Sequence, residues 1–205
     1  MVPTQWPWLK LGLWLLLSLP LAELAWRIGL ELQQPTSGLG ADPGEAIVHH
    51  LGTWALRILL LAFSVTPLRR TLRWQALGRA RRLVGLFAFA YVTLHMLAYM
   101  FYYLQWDVVA LFEDFSKRSY ITVGIVSFLI LAAMAVTSTR GWQRRLGRNW
   151  RRLHLGIYLA VALGLVHLWW LTRDGYAELL LYTIWFVVLL WLRRSPLLTR
   201  RVGSL

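Results

Sequence analysis

Residues 81–103 read RRLVGLFAFAYVTLHMLAYMFYY: two arginines, then a run with no Asp, Glu, Lys or Arg and a single histidine, His95. A hydrocarbon core of about 30 Å takes about 20 helical residues, so the run predicts a membrane-spanning helix over Leu83–Tyr103. Residues 151–171, RRLHLGIYLAVALGLVHLWWL, have the same form, with His154 at the start and His167 near the end. They predict a second such helix over Leu153–Leu171. His95 stands 13 residues beyond Arg82 and His167 stands 15 beyond Arg152, depths of about 20 and 22 Å at 1.5 Å per residue. Two helices running in the same direction thus carry a histidine at matched depth.

Four further apolar runs extend the pattern: Trp8–Arg27, His49–Val65, Ser119–Thr139 and Tyr176–Leu192. Of 205 residues 58% are hydrophobic and only 15% charged, with 13 Trp and no Cys, a balance that suits a bilayer rather than water. The first run is read as a span rather than a signal sequence, because Lys10 is its only basic lead and Pro20 interrupts it. The Pro- and Gly-rich stretch Gln33–Gly44 reads as a loop, and Pro67 is expected to stop the second helix. No repeat or low-complexity segment is apparent.

Lys and Arg number 22 against 9 acidic residues, a formal net charge of +13. In a soluble protein this would suggest nucleic acid, but position decides otherwise. Six basic residues lie between Arg69 and Arg82, six between Arg140 and Arg152, and four between Arg193 and Arg201. Each cluster sits between apolar runs or after the last, the positive-inside signature of cytoplasmic loops. The opposite loops hold only Lys117, Arg118 and Arg173, beside Glu31, Asp42, Glu45, Asp107, Glu113, Asp114 and Asp174. The expected fold is therefore all-α: a six-helix transmembrane bundle, one integral membrane domain over residues 1–205, with both termini cytoplasmic and no nucleic acid as partner. The clusters also suit contact with anionic membrane lipids, or an electropositive mouth for a phosphate-bearing carrier or a soluble reductase.

Without Cys there is no disulfide, iron–sulfur cluster or thiol nucleophile, so redox chemistry would need a bound cofactor. Two neutral imidazoles facing each other across a plane are what a porphyrin iron takes as axial ligands. Gly85, Ala88, Val92 and Ala98 around His95, and Gly156, Ala160 and Gly164 before His167, leave room for a flat macrocycle. Small residues equally serve close helix packing, and either histidine alone reads as a hydrogen-bonded interior residue. It is the matched pair that points to heme.

His154 lies about 20 Å from His167 along one helix, a spacing for two stacked redox centres, yet about 140° around it. A shared face therefore needs a bend or local irregularity. No other span offers a second histidine at the inner depth, so a second heme there would need a different axial partner. The alternative is an interfacial residue bonding a lipid phosphate or a quinone. Arg57, inside the second span, demands an anionic partner: a heme propionate, or else a carboxylate or carbonyls of neighbouring helices. His49 is an alternative heme ligand. No GxGxxG dinucleotide fingerprint occurs.

The runs GLGADPGEAIVHHLGTWAL (Gly38–Leu56), TPLRR, RRLVGLFAFAYVTLH, RSYITVGI and TSTRGWQRRLGRNWRRLH, with the helix after them to His167, resemble the MsrQ (YedZ) family over roughly Gly38–Arg194. This family is related to the ferric-reductase-like transmembrane domain. The resemblance implies a bacterial inner-membrane b-type cytochrome with heme b on His95 and His167, His154 implicated in heme binding, and an FMN. It also implies a periplasmic molybdopterin partner of the MsrP type that reduces methionine sulfoxide in damaged proteins, and electrons from the quinone pool or a cytoplasmic flavin reductase. The chain would be the electron-transfer subunit rather than the catalytic one. The competing readings are a stand-alone ferric or quinone reductase and a non-redox membrane transporter.

Overall fold

The computed structural model describes residues 5–74, 76–172 and 175–194, in which every regular element is a helix. They are α1 (Gln5–Gln33), α2 (Pro43–Leu72), α3 (Leu77–Tyr102), α4 (Val108–Lys117), α5 (Ser119–Val136), α6 (Arg140–Leu146), α7 (Arg148–His154), α8 (Gly156–Leu171) and α9 (Ala177–Arg194). Five helices are long and apolar enough to cross a membrane: Trp6–Gln33, Pro43–Leu72, Leu77–Tyr102, Ser119–Val136 and the combined Arg148–Leu171. The sixth expected span, α9, has 18 residues but carries Glu178, Arg193 and Arg194 at its ends. Arg173, Asp174, Arg200 and Arg201 of the expected loops lie outside the described residues.

The order of the long helices makes an up-and-down bundle with one basic and one acidic end. Arg69, Arg70 and Arg73, then Arg79, Arg81 and Arg82, then α6, α7 and the end of α9 share the basic end. Among the described residues no carboxylate accompanies them. Asp42 starts α2 by accepting from the Glu45 amide at 2.9 Å, with Pro43 in the first turn, the N-terminal grammar of capped helices. Arg73 closes α2 in the left-handed region at φ 52°.

α2 is the central helix, packing most extensively on α3, while α5 packs on α8. Ile58, Leu60 and Phe63 of α2, Tyr91 of α3 and Val161 of α8 are sealed from the surface. Outward, Trp8, Leu19, Leu129, Ile184 and Trp191 stay exposed, a surface that water does not tolerate over such an area and lipid does.

Side chains reach the backbone beside both interior prolines. In α1, Pro20 withholds the amide that the Leu16 carbonyl would take, and beside it Tyr91 Oη donates to the Leu17 carbonyl at 2.7 Å and His50 Nε2 to the Pro20 carbonyl at 3.0 Å. Pro67 does not stop α2, contrary to expectation; the helix runs on to Leu72. Proline withholds the amide that would bond the carbonyl four residues back, and Arg193 Nη2 of α9 supplies that bond to the Phe63 carbonyl instead. The Arg193 guanidinium lies 3.7 Å over the Phe63 ring.

Three pieces went unseen in the sequence. α4 is an amphipathic helix between α3 and α5 at the acidic end, and α6 and α7 fold the arginine loop into two short helices turned at Gly147 (φ 50°, ψ −119°). The fifth expected span begins earlier and is interrupted at Leu155, which is where an irregularity was called for between His154 and His167.

Candidate functional site

His95 on α3 and His167 on α8 meet, with ring centres 6.3 Å apart and planes at 84°. His95 Nδ1 donates to the Val48 carbonyl at 2.9 Å, and His167 Nδ1 to the Tyr120 carbonyl at 2.7 Å. A carbonyl can only accept, so each ring carries its proton on Nδ1 and keeps the Nε2 lone pair free. This is the tautomer a metal-binding imidazole needs. Glycine makes room at each contact. A Cβ at Gly52 would stand 2.9 Å from His95 Cε1, and one at Gly124 would stand 3.0 Å from His167 Cε1.

These two contacts are one motif used twice. In each copy a helix carbonyl is followed four residues later by a glycine, and the histidine lies 47 residues after that carbonyl. The second copy follows the first by 72 residues, a register that also superposes Ile58 on Ile130, Leu59 on Leu131 and Ala88 on Ala160. Ala88 and Ala160 are both fully buried, and Ser127 Oγ donates to the Ala160 carbonyl at 3.0 Å. The repeat was not recognised from the sequence, where its traces are the equal spacing of two glycines from two histidines and a few scattered matches in the same register.

The pair fits an iron held in a macrocycle. Two metal–imidazole bonds of about 2.0 Å end to end, with about 1 Å from each nitrogen to its ring centre, span roughly 6 Å, the observed separation. Among the described residues no three of His, Asp and Glu converge to hold a metal by themselves. Two axial imidazoles alone suit iron whose other ligands come from a porphyrin.

His154 is held differently. Its ring stacks on Trp150 at 4.0 Å, and its Nε2 donates to Thr137 Oγ1 at 3.4 Å, since that hydroxyl spends its own proton on the Ala133 carbonyl. Trp150 is fixed in turn by its indole bond to the Thr137 carbonyl at 2.9 Å. His154, Trp150, Gln143, Arg81, Arg82 and Arg193 line a cavity of about 270 Å³ at the basic end. In the 72-residue register His154 corresponds to Arg82: where a repeat would offer a second imidazole, the chain offers a guanidinium.

Arg57 finds its anion on α9. Its Nη2 donates to Glu178 Oε1 at 2.8 Å and its Nε to Tyr182 Oη at 2.6 Å, and Trp54 lies 4.9 Å beneath the guanidinium. Glu178 is thus a carboxylate of a neighbouring helix within reach of Arg57. Glu178 and Tyr182 were not recognised from the sequence, for they lie more than a hundred residues away. His49 is exposed and stands beside the Val48 carbonyl that His95 uses.

At the acidic end a polar and aromatic network rises from the pair. Tyr120 lies 6.4 Å from the His167 ring, Arg118 Nη1 donates to Tyr120 Oη at 3.3 Å, and Arg118 pairs with Asp114 at 3.0 Å. Tyr99 donates to Asp114 and stacks on Tyr103 at 5.6 Å.

Residues 51–165 match the family described as the ferric reductase like transmembrane component. The chain is 45% identical over 163 residues to the protein-methionine-sulfoxide reductase heme-binding subunit MsrQ of Xanthomonas campestris pv. campestris strain 8004, covering 80% of this chain and 75% of that one. It is 43% identical over 186 residues to MsrQ of Xanthomonas oryzae pv. oryzae strain MAFF 311018, covering 90% and 85%. With MsrQ of Caulobacter vibrioides it shares 44% over 180 residues, covering 87% and 83%. No solved structure matches it. Together with the five apolar helices, the transmembrane family makes this a multi-pass membrane protein.

Proposed function

Because the chain belongs to the MsrQ family of ferric-reductase-like transmembrane proteins, we propose that it is the b-type cytochrome of the bacterial inner membrane that delivers electrons to a periplasmic molybdopterin methionine sulfoxide reductase of the MsrP type. The observation that carries this reading is the His95–His167 pair, each ring tautomerically fixed and 6.3 Å from the other. Heme b bound between them supplies one-electron redox chemistry.

His95 and His167 would hold the iron through Nε2, with the Val48 and Tyr120 carbonyls orienting their rings. α9, tied alongside α2 by Arg57, Trp185 and Arg193, is the sixth span, and the basic end with both termini faces the cytoplasm. Electrons enter there from the quinone pool or a cytoplasmic flavin reductase. The arginine-lined cavity would hold the inner cofactor, a second heme beside His154 or the FMN, with Arg81, Arg82 and Arg193 neutralising its acidic groups. Arginines outside the cavity contact anionic lipid headgroups. Arg57 and Glu178 lock α2 to α9 beneath the pair. The acidic end, with the network from Tyr120 to Tyr103, receives the periplasmic partner, and the repair of oxidised proteins happens there, on the partner.

A reduced-minus-oxidised spectrum with pyridine hemochrome quantification tests this on purified wild type, His95→Ala, His167→Ala and His154→Ala, followed by reoxidation with the purified partner. Low-spin b-heme lost in the first two variants, and a heme that the partner reoxidises, are the expected results. A colourless wild type would overturn the reading in favour of a transporter. Heme that the partner leaves reduced would favour a stand-alone reductase.

A further inference from the structure

The paired contacts behind His95 and His167 fix more than which nitrogen is free. A ring bonded to the Val48 carbonyl lies across the helical turn from Val48 to Gly52, and the ring on Tyr120 lies across the turn from Tyr120 to Gly124. In each case a methyl group at the glycine would be within about 3 Å of both Cε1 and Nδ1, and the contact is with a ring that its own hydrogen bond prevents from retreating. Glycine inside a helix costs about 1 kcal/mol relative to alanine, and the chain accepts this twice, at equivalent positions of the repeat. Helix packing alone does not explain it, because the atoms in the way belong to the imidazoles and not to a neighbouring backbone.

We propose that Gly52 and Gly124 are positioning residues of the heme site, two equivalent sockets that hold the axial imidazole planes nearly perpendicular to each other. The inference rests on the assignment of His95 and His167 as axial ligands and goes beyond it. Perpendicular imidazoles donate into two different iron dπ orbitals and keep them close in energy; parallel ones donate into the same orbital and split the pair. The first arrangement gives ferric low-spin heme a strongly axial EPR signal, the second a rhombic one. The sockets therefore set a property of the iron that neither ligand identity nor burial sets.

The test is EPR of the oxidised protein in nanodiscs, with heme quantified by hemochrome, for wild type, Gly52→Ala, Gly124→Ala and, as control, Gly29→Ala, whose added Cβ meets nothing within 4 Å. Wild type and Gly29→Ala are expected to share the strongly axial signal. Each socket variant is expected to shift it to the rhombic type, with an altered midpoint potential at unchanged heme stoichiometry. A rhombic wild type, or socket variants with the wild-type signal, overturns the proposal while leaving the cytochrome assignment standing. Absence of heme from the wild type removes both.

Discussion

Arg57 is tolerable inside an apolar helix because Glu178 and Tyr182 take up its donors and Trp54 its face. Removing one partner of such a pair is worse than removing both. Glu178→Leu is expected to destabilise the protein by about 1–2 kcal/mol, less than the roughly 3–5 of a fully buried pair, since both side chains keep some exposure. The double variant Arg57→Met with Glu178→Leu should recover most of the loss, and melting in one detergent decides it. Arg57 was conspicuous in the sequence because charge in a span always is, and its partner was hidden because nothing local links residues 57 and 178. The histidine pair was legible from depth alone. Its carbonyls were not, since every residue has one and only the packed fold selects Val48 and Tyr120.

Pro67 shows how an element can outrun its own stop signal. The orphaned Phe63 carbonyl is served by Arg193, whose guanidinium also covers the Phe63 ring, so α2 continues and α9 is locked to it at the basic end. Arg193→Leu is therefore expected to cost about 1–3 kcal/mol for a buried acceptor left unmade. Adding Pro67→Ala, which restores an amide for the same carbonyl, should return part of it; urea-resistant melting in mild detergent compares the two. Tyr91→Phe is expected to lower stability by about 1 kcal/mol, by removing the buried bond to the Leu17 carbonyl beside Pro20. Hydropathy revealed the long helices but not α4, whose exposed Val109 and Phe112 share ten residues with Glu113 and Lys117, a stretch too short to span. α6 and α7 escaped notice for a similar reason, as arginine-rich turns look like loop until Gly147 folds them.

Over the whole molecule, charge is sorted by end more strictly than by helix: among the described residues the basic end holds no carboxylate. With that end cytoplasmic, an alkaline phosphatase fused after Gln105 is expected to be active, and one fused after Arg145 inactive, with a fluorescent protein giving the opposite pattern. Equal activity at both sites would sink the proposed orientation. The up-and-down order was legible because apolar runs and arginine clusters alternate along the chain. The pairing of α2 with α3 and of α5 with α8 was not, because packing partners leave no periodic signal. That pairing bears on ancestry. Each half contributes one carbonyl, one glycine and one histidine, in the same order and at the same spacing. A half-length chain with a single set would need only a twofold copy of itself to enclose an iron from both sides, so the site is one that gene duplication and fusion can produce without any intermediate lacking a ligand. The difference between His154 and Arg82 at matching positions is one that a fused chain permits and a symmetric dimer forbids: two ends of the repeat free to be different.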